Sequence, residues 1–311
     1  MNPIICIAGP TASGKTALAV ELAKELNGEV VSCDSMQVYR RMDIGTAKPT
    51  GEEMQGIPHH MIDVAEPWED YSVSRYCRAA APIVEDILAR GKTAVIAGGT
   101  GLYMDSLVRG NDFAPFPSTG VREELEAQAD ALGLDAMLER LREIDPETAG
   151  RVRDRKRILR ALEVYLETGE TITVLNRRTQ EQPPRFTPLW LGLDYENRDT
   201  LYARINRRVD LMLERGLLEE IRQLLAEGLS PKATSMQAIG YKEFVAVLEG
   251  RRSLAEAAEE VKQSSRRYAK RQLTWFRRDK RIHWICFNAP EAAAAVLQEA
   301  TDYLQNTLYN G

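Results

Sequence analysis

The chain runs to 311 residues, of which 44% are apolar and 28% charged, so it can bury a core of one or two ordinary domains; a disordered polymer and a small disulfide-stapled scaffold are excluded. The 41 Lys and Arg against 46 Asp and Glu leave a net charge of −5, which excludes the overall balance of a nucleic-acid coat protein. Residues 262–281 nevertheless hold nine basic residues and one acid, a local +8 against −13 for the remainder, and so permit a focused nucleic-acid surface. Four cysteines, at 6, 33, 77 and 286, form no CxxC pair and are expected to be reduced, buried thiols. Met1 to Ala8 shows neither a basic leader nor a cleavage pattern, and its apolar run stops at Gly9, so the expectation is a cytoplasmic protein with no membrane span.

In chain order, Ile4–Ala8 reads as a buried strand and Thr16–Leu26 as a helix with Ala19, Leu22, Ala23 and Leu26 on one face. Glu29–Cys33 is a second strand, Ser74–Arg90 a helix, and Thr93–Ala97 a third strand running into Gly98-Gly99-Thr100-Gly101. This alternation predicts an α/β fold with a parallel sheet, which binds ligands in the loops at its strand C-termini. The character changes at the proline-rich stretches 113–117 and 182–188. Between them lie charge-rich helical patterns at Val121–Leu132, Asp135–Ile144 and Arg155–Glu167, with no comparable strand-like run. Residues 118–182 are therefore expected to form an all-helical insertion in a core made of 1–117 and 183–311. A strand at Leu189–Leu193 follows, then helices near 199–215, 217–228 and 235–248, a long helix at Ser253–Arg278 and a strand at Ile282–Phe287. Within the long helix Leu254, Val261, Tyr268 and Trp275 recur every seven residues and predict a buried seam, which makes Trp275 and Phe276 core residues rather than base-stacking platforms.

Gly9, Pro10, Thr11, Ala12, Ser13, Gly14, Lys15 and Thr16 fit G-x-x-x-x-G-K-[ST], set between a strand and a helix as that phosphate loop requires. Glycines let backbone N–H groups converge on a phosphate, the helix N-terminus adds its dipole, Lys15 supplies a charge and Thr16 can ligand Mg²⁺. The expected ligand is a di- or triphosphate, as in ATP-binding loops of this type. An ordinary P-loop ATPase also needs an acid at the end of a nearby strand, yet the third strand ends in glycines. The nearest acid is Asp34, which closes the second strand; a turn cap made by Asp34-Ser35 is the competing reading. His59 and His60 diverge in helix or strand alike, which argues against joint metal ligation.

Seven motifs in order carry a resemblance: GPTASGKT at Gly9–Thr16, DSMQVYRRMDIGTAKP at Asp34–Pro49, PHHMID at Pro58–Asp63, GGTGLY at Gly98–Tyr103, RILRALE at Arg157–Glu163, QAIGYKE at Gln237–Glu243 and YAKRQLTWFR at Tyr268–Arg277. Together they resemble the bacterial tRNA dimethylallyltransferases. The eukaryotic relatives add a C-terminal zinc finger, which His283 and Cys286 alone cannot supply. The resemblance implies a P-loop NTPase-like core, transfer of a dimethylallyl group from dimethylallyl diphosphate to N6 of the adenosine at tRNA position 37, Mg²⁺ at the loop, and an insertion that closes over the anticodon loop. Asp34 is then the base, with Thr11 and Lys15 as its catalytic companions on the diphosphate. The same resemblance puts tRNA contacts at Asp34, Ser35, Met36, Gln37, Thr100, Arg157, Arg160, Gln237, Gly240, Tyr241, Lys242 and Gln272. The basic residues Arg266, Arg267, Lys270, Arg271 and Arg277 can track phosphates. Gly240 falls inside a helical pattern at a cost of about 1 kcal/mol, which close approach to an RNA backbone or packing would explain. The family carries His59-His60 too, without a mechanistic role that transfers.

Three rival readings remain at this stage. A small-metabolite kinase would also use Lys15, Thr16 and a carboxylate. Prenyl transfer to a free adenine nucleotide has little use for the +8 segment or the insertion. An RNA-binding module with a vestigial loop conflicts with intact Lys15, Thr16 and Asp34. No obligate protein partner is evident.

Overall fold

The structure is a computed structural model that describes residues 3–110, 119–288 and 292–310, so the expected boundary at 113–117 lies outside the described residues. By contacts the chain divides into two compact units, Met1–Gly110 with Phe186–Gly311, and Asn111–Arg185.

The first unit is an α/β layer structure. Its strands are β1 (Ile4–Ala8), β2 (Gly28–Ser32), β3 (His59–His60), β4 (Thr93–Ala97), β5 (Pro188–Tyr195) and β6 (His283–Phe287). They pair in the order β3-β2-β4-β1-β5-β6, every pair parallel, with Ile5 opposite Val95 on one side and Leu189 on the other. Central strands of a parallel sheet are covered on both faces, which explains why β1 and β2 are buried along their whole length. The helices of this unit are α1 (Lys15–Glu25), α2 (Gly51–Met54), α3 (Val73–Ala89) and α4 (Gly101–Arg109), and after the second unit's five come α10 (Arg198–Glu214), α11 (Leu217–Ala226), α12 (Lys242–Leu248), α13 (Leu254–Phe276) and α14 (Ala293–Asn310). One core cluster joins Ile5, Ile7, Leu22, Val30, Val95, Leu191, Leu193 and Ile285, with Val296, Ala300 and Leu304 of α14 packed into it. Each fully buried Val, Leu or Ile among them contributes about 1.5–3 kcal/mol of transfer free energy.

The second unit consists of α5 (Val121–Leu132), α6 (Leu134–Ile144), α7 (Pro146–Arg151), α8 (Arg155–Thr168) and α9 (Ile172–Glu181), around Leu125, Met137, Leu141, Ile158, Leu159 and Leu162. Asp145 starts α7 by accepting from the Thr148 amide at 3.0 Å, and Asp154 starts α8 through the Arg157 amide at 3.0 Å. Each is an N-cap that satisfies a backbone donor the helix cannot.

Four expectations are corrected. The segment 235–248 is a 3₁₀ turn at Ser235–Gln237 followed by α12, with Gly240 between them at φ +99°, so glycine is required there by the left-handed backbone and no helix bears its cost. Leu254 is 43% exposed, and the buried stripe of α13 runs through Ala257, Val261, Ala269, Leu273 and Phe276 instead. A straight helix turns every 3.6 residues, so a seven-residue seam drifts off the packed face. Trp275 accordingly sits half-buried at the edge of that stripe, while Phe276 is buried as expected. Cys286 is exposed because alternate residues of the outermost strand β6 face outward, whereas Cys6, Cys33 and Cys77 are buried.

Candidate active site

The C-terminal ends of β1, β2 and β4 bring three loops together at one edge of the sheet. After β1, the chain turns through Gly9–Gly14 into α1. Gly9 lies against the backbone of Leu193, where a Cβ would come within 2.7 Å of its carbonyl oxygen, and Gly14 at φ +90° delivers the chain into α1. The loop edges a cavity of about 740 Å³ whose wall includes Thr11–Thr16, Asp34, Gly98, Gly99, Tyr268 and the arginines 204, 207, 208 and 215. Lys15 donates to the Pro10 carbonyl at 2.6 Å. Burial, helped by the Arg208 charge and opposed by Asp34, pushes its ammonium down to about 7. Lys15 and Arg208 line the same cavity, a setting in which a multiply charged anion favours both charged forms.

The glycines after β4 are there for close packing. A Cβ on Gly98 would collide with the Cys33 carbonyl just past the end of β2, one on Gly99 with the Gln272 amide and one on Gly101 with the Trp275 ring. Gln272 in turn accepts from the Thr11 amide at 2.9 Å and donates to the Gly99 carbonyl at 3.0 Å, so α13 ties the phosphate loop to the β4 loop. Trp275 donates through Nε1 to Asp105 at 2.8 Å. Thr100 Oγ1 accepts from the Ser35 amide at 3.1 Å and fixes the chain next to Asp34.

Asp34 makes the turn cap, and its hydrogen bonds leave room for the other reading weighed for it. Its Oδ1 accepts from the Met36 amide at 2.8 Å and more loosely from the Gln37 amide at 3.4 Å, an Asx turn, while Oδ2 accepts no hydrogen bond from the described residues. One oxygen shapes the turn and the other stays available. Asp34 also borders a second cavity of about 340 Å³, which reaches Ser35, Met36, Gly45, Gln237, Lys242 and Arg271. Thr11, Asp34, Arg208 and Tyr268 are common to the two cavities. Burial, then the neighbouring Asp34 charge, pushes the Tyr268 phenol up to about 12, so it stays a neutral donor.

The other expected residues divide. Gln37 spends its side chain on the Ser32 hydroxyl and on the carbonyls of Thr46 and Ala47. Lys270 and Arg271 are exposed, Arg271 lying 5.6 Å from the Tyr268 ring centre. Arg266 is bonded to Asn206, and Arg277 to the buried carboxylate of Asp194 at 2.8 Å, which gives Arg277 a structural post away from both cavities. Tyr241 is 0% exposed and Gly240 is buried, so neither is a surface contact as expected. Arg157 and Arg160 belong to the second unit, where Arg157 lies 3.4 Å from Asp154 and Arg160 2.8 Å from Glu163. His59 and His60 engage different partners, the Ile57 carbonyl and Glu29, each at 2.8 Å. Glu29 also binds Arg90 and Lys92, which hold its carboxyl well below the usual range, so His60 is part of an ion-pair network.

Sequence reasoning missed Arg204, Arg207, Arg208 and Arg215. A signal was present for three of them, since Arg204, Arg208 and the C-cap Arg215 share one helix face, but only the fold turns that face of α10 towards the phosphate loop. Thr16 is exposed at the start of α1, and the described residues hold no group of three His, Cys, Asp or Glu that could bind a metal unaided. The Thr16 hydroxyl, on the wall of the first cavity, is a hard oxygen donor of the kind that suits Mg²⁺ when phosphate and water complete the shell.

A strand, a phosphate loop and a helix on a parallel sheet, with a carboxylate facing the loop, define a P-loop NTPase-like α/β protein adapted to polyphosphate chemistry. The comparisons are more particular. The family model described as IPP transferase matches residues 37–279, and that described as isopentenyl transferase matches residues 2–66. A tRNA dimethylallyltransferase from Caldanaerobacter subterraneus subsp. tengcongensis is 48% identical over 98% of both chains, and one from Acetivibrio thermocellus is 43% identical over 98% of both. The crystal structure of the full-length tRNA isopentenylpyrophosphate transferase from Bacillus halodurans superposes with a TM-score of 0.72 at 40% identity, covering 98% of each chain. A eukaryotic dimethylallyltransferase, crystallised acting on tRNA, gives 0.81 at 30% identity over 98% of this chain and 80% of its own. The chain belongs to the IPP transferase family, the tRNA dimethylallyltransferases. Among the described residues no helix is long and apolar enough to cross a membrane.

Proposed function

We propose that this chain transfers the dimethylallyl group of dimethylallyl diphosphate to N6 of the adenosine at tRNA position 37 in the cytoplasm, and that the two cavities divide the substrates. The diphosphate occupies the larger one, against the loop amides, Lys15 and Arg208. The adenine enters the smaller one, past Met36 and Gln237. It leaves the anticodon-loop stack to do so, at a cost of a few kcal/mol.

At the wall the cavities share, the N6–C1 bond forms as the C1–O bond breaks. The bonding pair departs with the diphosphate, and the N6 proton passes to Asp34 Oδ2. An adenine amino group is a weak nucleophile because its lone pair is delocalised, so a carboxylate taking its proton contributes about 10²–10⁴-fold. Lys15, Arg208 and the loop N–H groups receive the charge that develops on the leaving oxygens. Mg²⁺, held by the Thr16 hydroxyl, would neutralise part of that same charge when bound. Thr11 lies on both cavities and can hydrogen-bond the diphosphate from the shared wall.

The observation that carries this reading is Asp34, with one carboxylate oxygen unengaged at the junction of a cationic cavity and a second one leading to Arg271 and Lys242. Neither rival enzyme is favoured, since the relatives are named for tRNA. Incubation with ATP and with dimethylallyl diphosphate separately tests the choice: only the prenyl donor is expected to be consumed, and only once tRNA is added. Consumption of ATP without tRNA would restore the kinase.

Lys270 and Arg271 supply a further expectation. Replacing both by Ala should weaken tRNA binding and flatten the plot of log affinity against log salt by about 0.7–0.9 for each lost phosphate contact. Donor affinity should stay unchanged. An unaltered slope with a lower melting temperature would mean that these charges only solvate α13.

A further inference from the structure

The chain between Asp34 and Pro49 forms part of the wall of both cavities, yet it has almost no regular structure to hold it. Its backbone groups must still find partners, and one carboxylate takes three consecutive amides of the stretch 43–45. Glu220, on α11, accepts through Oε2 from the amides of Asp43 and Ile44, both at 2.8 Å. Its Oε1 accepts from the Gly45 amide at 3.2 Å and from the Tyr241 hydroxyl at 2.6 Å. Tyr241 is wholly buried, and its ring lies so close to Gly45 that a Cβ there would overlap it. Burial and the adjacent Glu220 charge both raise the Tyr241 phenol, which therefore remains a donor to the carboxylate. Beyond Gly45 the grip passes to Gln37, which donates to the carbonyls of Thr46 and Ala47. Gly45 and Thr46 are the residues this arrangement presents to the smaller cavity.

We propose that Glu220 and Tyr241 form a latch that sets the position of residues 43–46, and with it the wall against which the acceptor nucleotide docks. They are positioning residues: neither borders either cavity, and each acts through the loop. The proposal rests on the reading that the smaller cavity receives the tRNA adenosine. It gives the QAIGYKE motif a second task, since Gln237 and Lys242 face the cavity while Tyr241 holds its opposite wall from behind.

Tyr241→Phe keeps the ring against Gly45 and removes only the hydrogen bond. Glu220→Gln places an amide donor where two acceptor oxygens now meet four donors. With saturating dimethylallyl diphosphate, KM for tRNA is expected to rise about tenfold in Tyr241→Phe, the scale of one hydrogen bond to a charged group, and further in Glu220→Gln. Affinity for dimethylallyl diphosphate without tRNA should stay within twofold of wild type in both. Because the residues share one bond, the double variant should be less impaired than the product of the two single effects. Unchanged KM for tRNA in Tyr241→Phe, with only a lower melting temperature, would overturn the latch, as would equal losses of donor and tRNA affinity. A wild-type chain that consumed no donor with tRNA present would instead overturn the functional reading, so the two failures are distinguishable. Should Glu220→Gln fail to fold, Tyr241→Phe decides the question alone.

Discussion

Asp34→Asn is expected to lower the single-turnover rate of prenyl transfer by about two to four decades while tRNA affinity changes little. The substitution keeps the shape of the side chain and can keep an oxygen on the Met36 amide, so the turn survives. What it removes is the acceptor at Oδ2, the position left without a hydrogen bond at the wall between the cavities. Rapid-quench measurement with enzyme in excess isolates the chemical step from product release. A rate within a few-fold of wild type would remove Asp34 from the base role and leave it as the turn cap.

The second large effect concerns the cationic end of the larger cavity. Lys15→Ala and Arg208→Ala should each reduce transfer by about 10²–10³-fold, the range for removing one preorganised partner of a developing oxyanion, and each should also weaken donor binding. Lys15 adds a pH signature. Burial pushes its ammonium down to about 7, and a bound diphosphate favours the charged form, so binding takes up a proton above that pH. Donor affinity of the wild-type protein is therefore expected to fall as pH rises from about 7 towards 9. The Lys15→Ala protein should lose that slope. Titration calorimetry in buffers of different ionisation enthalpy reads the proton uptake directly; an affinity independent of pH in wild type would contradict the placement of the diphosphate against Lys15.

Much of this was legible in the sequence because the informative signals are local. β1 and β4 coincide with the apolar runs that announce them, α5 begins and ends where its helical pattern does, and the phosphate loop stands between its strand and helix. Asp34 was legible because it directly follows a strand that ends at the same sheet edge as the loop. What was not legible is what only tertiary contact decides. The arginines of α10 look like an ordinary solvated face until that face meets the P-loop. β3 has two residues and pairs only because Val30 and Val31 lie opposite them. Glu220 and Tyr241 are 21 residues apart and share a third segment some 175 residues upstream of Glu220, a relation that no periodicity encodes. Gly240 misled for a different reason: a helical pattern of side chains continued through a residue whose backbone is left-handed.

Prenyl transfer at this site means that the group leaves a diphosphate and arrives on a tRNA adenine. Mass analysis of nucleosides digested from tRNA after incubation with the protein and dimethylallyl diphosphate tests it most directly. The expected result is one adenosine per tRNA gaining a dimethylallyl group at position 37, one diphosphate released for each, and no product when that adenosine is replaced by guanosine. An unmodified tRNA in the presence of folded protein and donor, or the group found on a free nucleotide instead, would contradict it.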